Sequence, residues 1–299
     1  MIRLMAIVLS INLLVACGNG GDSSGAEANP LTVFMPTAGS SSHQAIQEIT
    51  NIDGAALLFG DIYEAGNLNS THMSCRIASC AVNFSPVADP VTFDLANNFP
   101  NLSFLSTPLV NANSRITNSV NVDGATFARG ILTGTIEDTP LEFQTFTGWL
   151  DGNIFGAVQI SIGEADNQRY RFTSYTVGVP AGSDPGGTGS ATWEGIAVAS
   201  IKANRNFIRG DATITVGNLA DGDADVDLLF DNWRTINNQT ISDVAAVSYD
   251  ARLDGKFGYF ESSIRDEQVE GWFYGANHEG VGGFFNTVDI TGAFGGIRR

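Results

Sequence analysis

Positive charge is scarce in this sequence. Lys and Arg together number 15 against 32 Asp and Glu, a net charge of −17, and only Lys202 and Lys256 are lysines. No basic surface is available to neutralise phosphates, so nucleic-acid binding is excluded. Histidine and cysteine are equally rare, three of each. Helical periodicity is almost missing: His43-Gln44-Ala45-Ile46-Gln47-Glu48-Ile49 fits two turns and Ile241 to Val247 one. Catalytic signatures are missing as well. There is no G-x-S-x-G elbow, P-loop or dinucleotide fingerprint, and His278-Glu279 opens like a zinc-protease motif but has Gly282 where the second His belongs. The expectation is a non-enzyme.

Apolar material is ample, at 43% hydrophobic and 10% aromatic over 299 residues, which is enough for one or two packed cores. Glycine is in excess: 34 residues, about 11% against a norm of roughly 7%, with no triplet period. That composition points to a turn-rich β protein.

Residues 1–16 carry one cation, Arg3, and apolar runs too short for a bilayer core that needs roughly 20 residues. They read as an export signal. Leu14-Val15-Ala16-Cys17 resembles the bacterial lipobox, whose cysteine thiol takes a diacylglycerol before cleavage. Cys17 is therefore the expected lipidation site, with palmitate among its acyl chains. The Gly/Ser/Asn segment after it forms a flexible tether over 17–31. Gly18, rather than Asp, fits delivery to the outer membrane. Export also implies an oxidising compartment, so Cys75 and Cys80 are expected to close a small disulfide loop.

Period-2 alternation marks half-buried strands. Ala212, Ile214 and Val216 share one face, as do Ala224, Val226, Leu228 and Phe230, and the stretch from Val247 to Leu253 repeats the pattern. Asp151-Gly152, Asp221-Gly222 and Asp254-Gly255 fall between such segments as hairpin turns. A Pro/Gly-rich stretch from Val179 to Gly189 marks a boundary. The fold class is all-β: a β-rich handle domain over 32–182, then an eight-stranded antiparallel β-barrel over 187–299. A membrane-spanning barrel is excluded because Asp225, Asp227, Asp231, Asp250 and Arg252 occupy outward positions.

Gly271-Trp272-Phe273-Tyr274-Gly275-Ala276-Asn277-His278-Glu279-Gly280-Val281-Gly282-Gly283-Phe284-Phe285, closing with Gly292-Ala293-Phe294-Gly295-Gly296-Ile297-Arg298-Arg299, resembles the terminal hairpin of the barrel in the transferrin-binding protein B family. Ala191-Thr192-Trp193-Glu194-Gly195 resembles that barrel's first strand, and the Asp-rich strand ending at Phe230 its third. The family pattern has Ala before the Glu where this chain has His278, and Ala where it has Gly296. The resemblance implies a surface-exposed outer-membrane lipoprotein that binds a protein or an iron or haem ligand, displayed with the help of a surface-lipoprotein translocator. The other function weighed is a structural lipoprotein that partners an outer-membrane protein without capturing a nutrient. The motif residues Gly271, Phe273, Tyr274, Gly275, Glu279, Gly282, Gly283, Phe284, Phe294 and Gly295 are expected to be structural. Glycines there relieve crowding, while Phe273, Phe284, Phe285 and Phe294 fill the interior.

No cofactor or metal is expected. Asp221, Asp223, Asp225 and Asp227 lack the closing Glu of a calcium loop. His72 and Met73 are the haem ligands weighed, but adjacent strand residues point to opposite faces. Trp149, Trp193, Trp233 and Trp272 read as core anchors rather than binding platforms, with Trp233, in the turn-like Asp231-Asn232-Trp233-Arg234, the nearest of the four to an exposed position.

Overall fold

The computed structural model describes the backbone of 56–60, 62–64, 67–69, 73–75, 79–82, 91–94 and 110–122, then 124–299 apart from 137, 151–152, 165, 167, 256 and 265–266; side chains are described from 124 onward, except at those positions and at 132, 136 and 264. Among the described residues every regular element is a strand save one 3-10 residue. Six short strands come first: β1 (Ala56–Phe59), β2 (Ile62–Glu64), β3 (Asn67–Asn69), β4 (Met73–Cys75), β5 (Ser79–Val82) and β6 (Val91–Asp94). Five long ones follow: β7 (Val110–Val122), β8 (Ala125–Ile136), β9 (Thr139–Leu150), β10 (Asn153–Ile162) and β11 (Arg169–Gly178). The remaining eight are β12 (Ala191–Ile201), β13 (Phe207–Val216), β14 (Asp225–Thr235), β15 (Val247–Leu253), β16 (Tyr259–Ile264), β17 (Glu267–Tyr274), β18 (Gly280–Asn286) and β19 (Ile290–Arg298).

β7 to β11 form an antiparallel meander, and β1 and β2 both pair with β11. β5 and β6 make a separate ribbon. β12 to β19 form a closed antiparallel barrel in sequence order, sealed where β12 meets β19.

The alternating pattern read from β13, β14 and β15 sends one row inward. Trp193, Ile214, Val226, Leu228, Phe230, Tyr249, Phe260, Phe273, Phe285 and Phe294 make one buried cluster that fills the barrel. At its centre Phe230 stacks on Phe285, with centroids 4.5 Å apart, and touches Phe294 at 5.0 Å and Tyr249 at 6.3 Å. The other row of β14 and β15 carries Asp225, Asp227, Asp250 and Arg252, all exposed, as a water-facing wall.

Trp233 is a core residue despite its turn-like setting. It is buried inside the barrel, and its indole donates to Ala245 O at 3.0 Å. The turn-like residues before it form a β-bulge: the β13–β14 register shifts between Arg209 and Asp211, and Asn232 sits at φ 51°. One extra residue reverses the alternation, so Phe230 and Trp233 both point inward. The helical turn expected from Ile241 to Val247 is also absent. That segment is a loop whose Ile241 N donates to Trp233 O.

Phe284 corrects the sequence reading. It is buried, but on the outer wall of the barrel, in a cluster with Trp272 and Tyr274. On β18 the inward row is carried by Val281 and Phe285, and Phe284 is out of phase with it. The cause of its burial is the handle sheet, which lies against this wall. β10 and β11 pack on β18 and β19, and Ala125, Phe127, Phe146, Phe155 and Ala157 share a core with Ile196, Val198, Phe207 and Ala293 of the barrel's outer surface. Polar ties reinforce it. Asn153 Nδ2 donates to Val281 O, the Thr176 and Tyr274 hydroxyls meet at 3.2 Å, and Gly275 N donates to Val179 O at 2.9 Å.

The motif glycines therefore serve two surfaces. A Cβ on Gly271 or Gly283 would strike Phe260 or Phe294 inside the barrel. On Gly282 it would meet Thr176 Oγ1 at 2.7 Å, and on Gly295 the Phe155 ring at 2.5 Å, both in the handle. Missing side chains on β18 and β19 let one sheet nest on the other.

Candidate functional site

The face of the handle sheet turned to the barrel changes character along its strands. Cross-strand register puts Gln144 and Gln159 in one row and Glu142, Ser161 and Tyr170 in the next, while Arg129, in the row of Phe146 and Ala157, reaches Gln144 diagonally. Phe127, Phe146 and Phe155 cover the stretch where the barrel packs. Beyond it the same face is polar and overhangs the end of the barrel.

The β12–β13 turn rises over this overhang. Gln159 Nε2 donates to Ser200 Oγ and to Arg205 O, both at 2.7 Å, which pins the turn to the sheet. Arg205 takes φ 61° and lays its guanidinium 4.1 Å from the Tyr170 ring centroid. Beneath it lies a cleft with two chambers. A polar one of about 280 Å³ is lined by Glu142, Gln144, Ser161 and Tyr170. A larger one of about 450 Å³ is lined by Ile201, Phe207, Ile236, Ile241 and Val244, with Asn204 and Asp243 at polar positions. Arg129 and Arg205 border both chambers. Arg129 Nη2 donates to Gln144 Oε1, Gln144 Nε2 donates to Glu142 Oε1 at 2.5 Å, and the Arg129 guanidinium lies 5.7 Å from the Phe207 ring. Concave sites of this size with an apolar wall and a few converging polar groups are the usual form of ligand pockets.

The motif residues read from the sequence sit elsewhere, at the opposite end of the handle contact, and they are engaged with the chain itself. Tyr274 is buried and its hydroxyl lies at the Thr176 hydroxyl; burial pushes its pKa up. Gly275, at φ 80°, turns the chain toward β18. Glu279 accepts from Asn277 N at 3.1 Å and from Asn277 Nδ2 at 2.8 Å; burial works against its charge, and these hydrogen bonds outweigh it and hold the carboxyl below the ordinary range. His278 is buried, its Nε2 lies 2.8 Å from Ser183 O, and its own carbonyl accepts from the Trp193 indole at 2.8 Å. These bonds fix the segment linking handle to barrel onto the barrel mouth.

Of the aspartates weighed for calcium, Asp221 caps its own turn through Asp223 N at 3.1 Å and Asp225 pairs with Arg252 at 3.7 Å. Among the described residues no group of three or more His, Cys, Asp or Glu is placed to hold a metal ion. Cys17 and His72 lie outside the described residues. Met73 and Cys75 lie in β4 and Cys80 in β5, and their side chains are likewise outside the described set.

Sequence reading missed the cleft altogether. Its residues come from β8, β9, β10, β11, the β12–β13 turn and the β14–β15 loop, and only the strand register brings them together. The one available signal was polar alternation within β8 to β11, where Arg129, Gln144 and Gln159 interrupt otherwise apolar faces.

No family model matches the chain, and no curated protein does. Solved structures do resemble it. Intact Ap-TbpB, with N and C lobes, aligns with 83% of this chain and 47% of its own at 12% identity and TM-score 0.39. Transferrin binding protein B from Haemophilus parasuis aligns with 83% of this chain and 45% of its own at 13% identity and TM-score 0.38. The isotype 1 protein from serogroup B Neisseria meningitidis aligns with 82% of this chain and 43% of its own at 13% identity and TM-score 0.35. The chain thus spans less than half the length of each.

Proposed function

We propose that this chain is a non-catalytic ligand-binding lipoprotein, anchored through Cys17 in the outer membrane and displayed at the cell surface, that takes its ligand in the cleft between handle and barrel. The observation that carries this reading is the division of space in the fold. The barrel interior is packed with aromatic side chains, whereas the junction holds a cleft bordered by two arginines. The barrel is then a scaffold, and recognition belongs to the handle face and the loops above it.

Filling the cleft tests the reading. Ser161→Trp places an indole in the polar chamber, and Asn204→Trp places one in the larger chamber from the exposed turn. Thermal unfolding against a panel of cationic, neutral and anionic small molecules is expected to reveal at least one class whose stabilisation vanishes in both variants; stabilisation that survives both would move the site elsewhere. The anchor has its own check. Cys17→Ser should abolish labelling by palmitate and release the protein to the soluble fraction, and unchanged membrane partition would refute it. The loop before β5 has another. Peptide mapping without reduction is expected to return Cys75 linked to Cys80, and two free thiols would rule the bridge out.

A further inference from the structure

The cleft concentrates positive charge in a chain that has little of it. Arg129 and Arg205 border both chambers. Arg209 and Arg234 face each other across β13 and β14, at the base of the β14–β15 loop that walls the larger chamber. Both guanidinium groups converge on one neutral acceptor, Asn238 Oδ1, at 2.7 and 3.3 Å. Arg209 is buried with its guanidinium 5.6 Å from the Phe127 ring, so of these four Arg129 and Arg205 line the opening, in a chain with 15 cationic residues against 32 acids.

Arg205 is the more telling of the two that line the opening. Among the described residues it makes no ion pair, and its guanidinium is held over Tyr170 by a cation–π contact. A planar group already laid flat and short of an acceptor loses little freedom when a carboxylate arrives in its plane. The neighbouring chamber offers the opposite chemistry. Phe207, Ile201, Ile236, Ile241 and Val244 line it, so a ligand lodged there must carry an apolar body.

We infer that the cleft binds a small organic anion, a carboxylate on a flat apolar body, with its charge between Arg129 and Arg205 and its body against Phe207 and the β14–β15 loop. This rests on the cleft being the binding site and adds the class of ligand. The two acids on its lining are divided between the chambers, Glu142 in the polar one and Asp243 in the larger one, whereas both arginines border each, so either chamber has two cations against one acid. Because the whole chain is strongly acidic, the attraction is local, and a cation or neutral molecule of the same shape lacks it.

The experiment uses the full lipidated chain in detergent and three probes of one shape: 2-naphthoate, 2-naphthylmethanol and 2-naphthylmethylammonium, followed by calorimetry. The naphthoate is expected to bind at least tenfold more tightly than either of the others. Arg205→Gln should remove that preference, since its carbonyl contact to Gln159 is a main-chain one and survives the change. Arg252→Gln, on the acidic outer wall, should leave it intact. Equal binding of all three probes, abolished by Ser161→Trp, would overturn the anion inference and leave the cleft as the site. Naphthoate binding that persists in both Ser161→Trp and Asn204→Trp would overturn the reading of the cleft and the inference with it. No binding of the naphthoate at millimolar concentration would overturn the inference.

Discussion

Phe230→Ala is expected to lower the stability of the barrel by about 3–5 kcal/mol, the range for deleting a fully buried aromatic and leaving a cavity. Phe230 is fully buried and packs against Phe285, Phe294 and Tyr249, so no neighbour can collapse into the space without giving up its own ring contacts. A domain is typically stable by only about 5–15 kcal/mol, and chemical denaturation should show the midpoint falling sharply. Phe284→Ala provides the contrast. That ring is equally buried, yet it lies between the barrel wall and the handle, where a Cβ on Gly60 would come within 2.7 Å of it. Its loss should loosen the handle while hydrogen exchange in β13 to β15 stays slow. Fast exchange in those strands on Phe284→Ala would show that the ring supports the barrel itself.

Gly195→Ala is the second large effect. Gly195 lies opposite Gly296 on the seam between β12 and β19, and a Cβ there would overlap the carbonyl oxygen of Gly295 and the Cα of Gly296. The obstacle is backbone, which cannot rotate aside as a side chain can. Overpacking commonly costs about 1–3 kcal/mol, and a clash with main chain at the closure belongs at or beyond the top of that range. Circular dichroism and size exclusion should report an opened, association-prone barrel. Gly295→Ala should behave differently, because the atoms in its way are the Phe155 ring and the Asn153 side chain. The barrel should then stay closed while the handle contact gives way, and an unfolded barrel in that variant would contradict the assignment of Gly295 to the handle face.

The barrel was largely legible in the sequence because one of its sides faces water. In β14 and β15, Asp225, Asp227 and Asp250 alternate with Val226, Leu228 and Ala251, and the period announces both strand and face. On β18 the period disappears. All seven residues from Gly280 to Asn286 are buried, since the handle covers the row that would otherwise be wet; adjacency alone puts Phe284 and Phe285 on opposite faces, but nothing local shows that the outward face meets a second core. Trp233 sits in a turn-like run for a local reason: a bulge places Asp and Asn inside a strand, where they look like a turn. The cleft was illegible because it exists only after pairing. Arg129 and Arg205 are 76 positions apart in sequence, and nothing local distinguishes them from surface arginines.

The seam between β12 and β19 also sets an order in time. Every other pairing in the barrel joins sequential neighbours, whereas this one joins Trp193 to Arg298. Hairpins close within microseconds, but a contact spanning the whole domain waits on loop closure and dominates the folding rate. Until the last strand docks, β12 and β18 each present an unsatisfied edge, the feature that recruits other chains into intermolecular sheets. The final nine-residue strand is therefore the chain's kinetic lock: with it in place the barrel has no edge to offer, and before that the domain is at its most vulnerable to aggregation.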